Sequence, residues 1–268
     1  MMCVKATRFP LVHLLRSKPT IKNHTIPIFP KTPLPFPTLS LITPKSSLST
    51  MSSTTTSVVE HVVLFKVKDS TDPTASDAMI SRLTALISLP SVSHLSAAPI
   101  LRSRSPSAAG FTHILHCRYP SKSALADYSA HPDHLSVVRE SVLPIVDDIM
   151  AVDWVAELPP TVAALPPGSA VRVTFVKPKE GGDDEIVRVL GGIDVSGRPI
   201  EQVSFGRNFS PGRAKGFNVA FMSVFRGTEE MDAVDGMAEV EAAKERVRPL
   251  IEDLVIVDFV VPAAPASL

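Results

Sequence analysis

The chain has 268 residues, 44% of them hydrophobic, enough to bury two cores in domains of about 100 residues each. Its 27 Lys and Arg balance 27 Asp and Glu, leaving no net charge with which to grip a polyanion, so a general nucleic-acid role is excluded. Two cysteines, Cys3 and Cys117, exclude a disulfide scaffold or a thiolate zinc site and fit a reducing compartment, and no apolar run reaches the ~20 residues a membrane helix needs.

Residues 1–57 read as a disordered targeting leader. No Asp or Glu occurs from Met1 to Val59, while Lys5, Arg8, Arg16, Lys18, Lys22, Lys31 and Lys45 lie among Ser, Thr and Pro. Acid-free, basic N-termini of this kind resemble organelle transit peptides, and Pro27, Pro30, Pro33, Pro35 and Pro37 argue against a long helix. Met51 offers an internal start. The tail, 263–268, ends in Ala266-Ser267-Leu268, similar to a Ser-Lys-Leu peroxisomal address without its basic middle residue. Plastid and peroxisome are both expected destinations.

Folded sequence is expected over 58–158. His61 to Lys68 is a β-branched run whose period of two puts His61, Val63, Phe65 and Val67 on one face. Asp72-Pro73 supplies an N-cap and a first-turn proline, and Met79, Ile80, Leu83, Leu86 and Ile87 follow as one buried helical stripe that Pro90 ends. A strand over about Val92 to Ala98 leads to the polar loop Arg102 to Ser107. Gly110 opens the next strand, with Phe111, His113, Leu115, Cys117 and Tyr119 on one face. Ser121 caps a helix that reaches His131, Pro132 starts a second helical piece to about Val142, and Asp148 to Glu157 closes the unit. The order β-α-β-β-α-β is ferredoxin-like.

A second copy is expected over 170–262, after a stiff Pro-rich linker at 159–169. Leu143-Pro144 through Val155 matches Arg248-Pro249 through Val260 position by position, and Ser105-Pro106 before Gly110-Phe111 is echoed by Ser210-Pro211 before Gly216-Phe217. The fold class is therefore α+β: two tandem ferredoxin-like units whose bare sheet faces pack face to face, either between chains or, as a tandem chain allows, internally.

His61-Val62-Val63-Leu64-Phe65-Lys66, Gly110-Phe111-Thr112-His113, Tyr128-Ser129-Ala130-His131-Pro132-Asp133-His134 and Val152-Asp153-Trp154 resemble the stress-responsive A/B (dimeric α/β) barrel domain of plants. The second copy, degenerate, matches in strand pattern and tail. The layout is similar to two-domain members, some of them peroxisomal. The resemblance implies sheet pairing into a barrel and a homodimer, and no activity by itself.

One branch, the olivetolic acid cyclase type of polyketide cyclase, implies an intramolecular aldol closure of a linear polyketide thioester. Its tyrosine–histidine pair falls on Tyr128 and His134, and its pocket residues on His61, His113 and His131, with Phe65 and Leu115 on the same faces. A near-neutral histidine can remove a proton α to a carbonyl while a tyrosine steadies the enolate, and His131-Pro132 breaks the helix and re-aims the second piece. Ile80 and Leu83 stand where the cyclases carry large aromatics. Val219, and Gly236-Met237-Ala238-Glu239 in place of His-Pro-x-His, disqualify the second copy, so any pocket is expected only in the first.

The same residues also serve as fold architecture, with His131 capping a helix and His113 hydrogen-bonded in the core. The adopted reading is a non-enzymatic or small-ligand-binding barrel protein, with no required cofactor and no nucleic-acid or membrane partner. The alternatives are a cyclase using Tyr128 and His134, separated from the adopted reading by an open or a filled cavity, and a scaffold built on barrel pairing. The family's magnesium position falls on Ile87, Pro90, Ser91 and Ser93, a segment without a carboxylate. His131 and His134 lack a third strong zinc ligand. The basic loops Arg102 to Arg104 and Arg207 to Lys215 are candidates for an anion, and otherwise solvated surface charge.

Overall fold

The computed structural model describes residues 55–159 and 164–263. The leader to residue 54 and residues 264–268, with the targeting signals read there, lie outside the described residues, as do 160–163 of the linker.

Each copy follows the expected order. The first contains β1 (Thr56–Val67), α1 (Pro73–Ala85), β2 (His94–Pro99), a two-residue β3 (Arg102–Ser103), β4 (His113–Tyr119), α2 (Lys122–Ala130), α3 (Pro132–Val137) and β5 (Val146–Leu158). The second contains β6 (Ala170–Pro178), α4 (Asp183–Gly191), β7 (Gln202–Arg207), β8 (Val219–Phe225), α5 (Thr228–Ala233), α6 (Ala238–Val247) and β9 (Ile251–Val260). Local chemistry sets the boundaries. Asp72 accepts from Thr74 N at 2.8 Å at the start of α1, and Ser121 accepts from Ala124 N at 3.1 Å at the start of α2, satisfying amides that the helix itself leaves open.

The sheets run β2-β4-β1-β5 and β3-β9-β6-β8-β7, with antiparallel pairing throughout. They pack face to face. Val62, Leu64, Ile114, Val152 and Trp154 meet Val173, Phe175, Met222, Val257 and Phe259 in one core, and the Trp154 and Phe175 rings sit edge to face at 6.5 Å. Burial on both faces explains why β1 is an almost unbroken apolar run: alternate residues feed the barrel core and the helix-side core of Val59, Val63, Phe65 and Val67.

The copies exchange loops at both edges of the barrel. Arg102 and Ser103 pair with Asp258 and Val257. In return Asn208 bridges to Trp154, and Phe209 N donates to Asp153 O at 2.9 Å. Gly206 makes the second approach possible, because a Cβ there would sit 2.8 Å from Val155 O. The linker's described end also docks: Leu165 is buried in the barrel core and its N–H donates to His94 Nδ1 at 3.4 Å.

Three expectations need correction. Phe111 packs into the barrel core rather than with Leu115, because Gly110 turns at φ +93° and the strand begins only at His113. Ile87 leaves the helical stripe, since α1 ends at Ala85 and a 3-10 turn rotates it outward to 44% exposure. Most cations of the basic loops are already paired: Arg102 and Arg104 with Asp232, Asp235 and Asp258, Arg207 with Asp184, and Lys215 with Asp148.

Candidate functional site

Between the helices and sheet of the first copy, strand pairing sets His61 beside Asp153 on β5 and Cys117 on β4. His61 Nδ1 lies 2.5 Å from Asp153 Oδ1, both buried. Burial raises the Asp153 pKa, but the His61 hydrogen bond and charge outweigh it and hold the carboxyl below its usual range. The carboxylate therefore accepts from Nδ1–H, and Nε2 is left free of that bond. The His61 ring sits edge-on to Tyr119 and Tyr128 at 6.2 and 6.5 Å.

Tyr128 is 1% exposed, and its ring centre lies 4.5 Å from that of His134. Its hydroxyl and that of Tyr119 are buried without a hydrogen-bond partner of ordinary geometry among the described residues. Burial, then neighbouring Cys117, raises both phenol pKa values, and burial pushes the Cys117 thiol up to about 12. All three groups stay protonated at neutral pH, so none is a ready nucleophile. His134 Nδ1–H donates to Ser129 O at 3.2 Å, and burial lowers its pKa, leaving a neutral ring with Nε2 open.

The fold thus brings together His61, Tyr128 and His134. It does not bring His113 and His131 into that group. His113 pairs with Phe65, four residues along β1 from His61, roughly 13 Å at ~3.3 Å per residue. There its Nδ1 lies 2.8 Å from Thr112 Oγ1, and burial lowers its pKa. His131 caps α3, its Nδ1 accepting from Asp133 N at 3.2 Å. Phe65 and Leu115 are core residues. Around Tyr128, the side chains of Met79, Leu83, Leu86 and Leu125 are buried in one helix-side core.

The large apolar cavity lies in the second copy, contrary to the expected location. It occupies about 580 Å³ between α4, α6 and the sheet. Register shows what emptied it. Arg172 pairs with Asp258 and Ser223 as His61 pairs with Asp153 and Cys117. Counted from the strand ends Tyr119 and Phe225, Val234 replaces Tyr128, Met237 replaces His131 and Val240 replaces His134. The His-Pro-x-His equivalent is therefore Met237 to Val240, one residue beyond the expected segment. Two rings have become Val, α4 has 9 residues against 13 in α1, and α6 contributes no fully buried residue. Only the apolar spacing of Val240, Ala243 and Val247 opposite small Thr174 and Ser223 signals the cavity in sequence.

One end of the cavity is polar, and the first copy supplies part of it. Arg172 donates to Asp258 Oδ1 at 2.8 Å and to Asp235 Oδ1 at 2.7 Å. Arg104 adds a bond to Asp258 Oδ2 at 3.1 Å and one to Asp235 Oδ2 at 2.5 Å. The loop position equivalent to Arg104 in the second copy, one residue before Ser210-Pro211, is Phe209, which packs against the first copy's helix-side core under the Lys122 ammonium.

A separate polar group, missed from sequence, sits inside the barrel. Glu60 accepts from His116 Nε2 at 2.7 Å and Arg118 Nε at 3.0 Å, and His94 Nε2 lies 2.8 Å from Ser96 Oγ. Burial opposes the Glu60 charge, but Arg118 and His116 together hold its pKa at about 2. Burial, then His116 and Arg118, lowers His94 to about 3.

The proposed magnesium segment is a surface turn, with Ile87, Pro90 and Ser93 exposed and Ser91 half-buried. Its donors are neutral oxygens, a set suited to a weakly held, hydrated cation. Among the described residues no group of three His, Cys, Asp or Glu side chains is placed to hold a metal, and no helix is long and apolar enough to cross a membrane.

Comparison with known proteins agrees with this architecture. The profile of the Stress responsive A/B Barrel Domain matches residues 59–156 and again 171–261. A stress-response A/B barrel domain-containing protein of Arabidopsis thaliana is 48% identical over 232 residues, covering 84% of this chain and 87% of that relative. A second protein of the same description and the same plant is 40% identical over 210 residues, covering 78% of this chain and 99% of its own. Among solved structures, an anthrone oxidase-like protein superposes with a TM-score of 0.55 at 12% identity, covering 79% of this chain and 97% of its own, which reports the fold alone. With both barrel domains matched and relatives this similar along most of its length, the chain belongs to the stress-responsive A/B barrel domain family as a tandem two-domain member.

Proposed function

We propose that this protein binds a small apolar molecule in the helix–sheet cavity of its second copy, and that the first copy completes the barrel and lends Arg104 to the cavity's polar end. The observation that carries this is about 580 Å³ of mainly apolar space in the second copy, lined by Val234 at the register position where the first copy buries the Tyr128 ring. That volume lies in the ~300–1,000 Å³ range of small-molecule sites. The lining is mainly apolar, and its one carboxylate, Asp235, is held by Arg172 and Arg104, which supports a binding role. Titration with Nile red, a neutral dye that brightens in apolar surroundings, should saturate at one dye per chain. Absence of saturable binding would refute the assignment.

The rival reading is aldol closure at Tyr128 and His134. The 4.5 Å ring approach and the open Nε2 of His134 favour it. It requires the packed layer of Met79 and Leu83 to open, and a screen of acyl thioesters and polyketides against wild type and His134→Gln tests it. Binding lost in that variant would support the cyclase site.

We also infer that one chain is the working unit, since each sheet already covers the other. Sedimentation giving a dimer at micromolar concentration would contradict this. Organellar delivery remains our reading of the two terminal signals. Reporters fused after Met51, or masking Leu268, separate plastid from peroxisome.

A further inference from the structure

We propose that the second-copy cavity selects neutral amphiphiles, an apolar body bearing one hydroxyl or carbonyl group, and rejects carboxylates and amines of the same length. This rests on the reading that the cavity is the ligand site. Its polar end is built from ions, and those that line the cavity there, Arg104, Arg172 and Asp235, are paired within one cluster. Arg102, Arg104 and Arg172 face Asp232, Asp235 and Asp258, three charges of each sign.

Arg172 is engaged through Nε, Nη1 and Nη2, chelating Asp258 on one side and Asp235 on the other. Although burial raises the Asp235 pKa, the Arg172 hydrogen bond and both arginine charges outweigh it and keep the carboxyl ionised. On the rim, Lys244 is paired with Glu241 and Arg248 with Glu245. An entering carboxylate would lie against Asp235, the one carboxylate that lines the cavity, or displace it from Arg172 and Arg104, and in either case a desolvated charge is left without a partner. An entering ammonium meets the arginines in the same way.

A neutral group meets no such penalty. Thr174 and Ser223 line the cavity, Ser223 as the cross-strand partner of Arg172, and their hydroxyls would offer donors and acceptors to one hydroxyl or carbonyl while the chain lies against Val176, Leu190 and Phe221. Selectivity would thus come from a closed ion cluster acting against charged competitors.

Displacement of Nile red from the full chain at pH 7.5 by 1-decanol, 2-decanone, decanoate and decylammonium, each below its micelle threshold, tests this. The two neutral probes should bind at least about tenfold more tightly than either ion. Asp235→Asn leaves the cluster one positive charge in excess and should raise decanoate affinity about tenfold with little change for 1-decanol. Arg104→Gln should do the same for decylammonium. Decanoate equal to or tighter than 1-decanol in wild type overturns the proposal. Nile red saturating at one per chain while none of the four displaces it also overturns the neutral-amphiphile class. No saturable Nile red binding at all instead refutes the underlying assignment of the cavity. If neither variant folds, the wild-type ranking alone decides.

Discussion

The two helix–sheet layers of this protein share a strand order and a pair of β-bulges, at Lys66/Val67 and Lys177/Pro178, yet the large apolar cavity opens in the second. In the first copy α1 runs 13 residues and drives Met79 and Leu83 into the layer, Tyr128 fills its centre, and Phe209 of the other copy packs against it. In the second, α4 stops after 9 residues, Val234 stands in Tyr128's place, and the exchanged loop delivers Arg104. The difference teaches that the barrel plan does not specify a pocket. Side-chain volume at a few register positions does, and the cavity lies in the copy without histidine or tyrosine in its lining.

The largest effect should come from breaking the core that both copies share. Trp154 is fully buried between the sheets, and its Nε1–H donates to Ser204 Oγ at 2.9 Å. Trp154→Ala should cost about 3–5 kcal/mol, and circular dichroism during urea unfolding should show one transition at lower urea. Two separated transitions would mean that the copies fold independently.

Making the first layer resemble the second sharpens the comparison. Tyr128→Val should cost about 2–4 kcal/mol as cavity is opened and should create a second, weaker Nile red site. A stoichiometry still at one would show that the layer collapses instead.

Acid should act most strongly through the barrel interior, where His94 and Glu60 are shifted far from their ordinary values. Unfolded His94 takes a proton below about pH 6.5, whereas the folded residue stays neutral down to about 3. The unfolded state therefore binds more protons and stability falls as pH falls, by roughly 2 kcal/mol from this residue between pH 6.5 and 5. His116, lowered by burial, adds in the same direction. Glu60, held at about 2, contributes stability above its ordinary value of 4.5 that is lost as pH drops towards 2. His94→Gln should flatten the pH 6.5 to 5 limb in urea unfolding, and an unchanged slope would assign it elsewhere. The smallest effect belongs to His131: removing its cap as His131→Ala should cost about 1 kcal/mol and leave dye binding intact.

Much of the fold was legible because it rests on local rules. Asp72 and Ser121 announce their helices, and the matched tails from Leu143 and Arg248 announce the repeat. What escaped depends on distant partners. Arg102 and Arg104 looked like free loop cations because Asp232, Asp235 and Asp258 lie far along the chain. His61 looked like a pocket group because its partner Asp153 lies 92 residues along the chain. The cavity was hidden because it is made by absence, where Val and Ser stand in for Tyr and Cys.

The most direct test is to fill each layer's candidate site in turn and measure Nile red affinity. Ala243 lines the second-copy cavity from α6, and Ala243→Trp should weaken dye binding at least about tenfold while His134→Gln leaves it unchanged. Retained binding in Ala243→Trp together with loss in His134→Gln would place the ligand in the first copy and contradict the account.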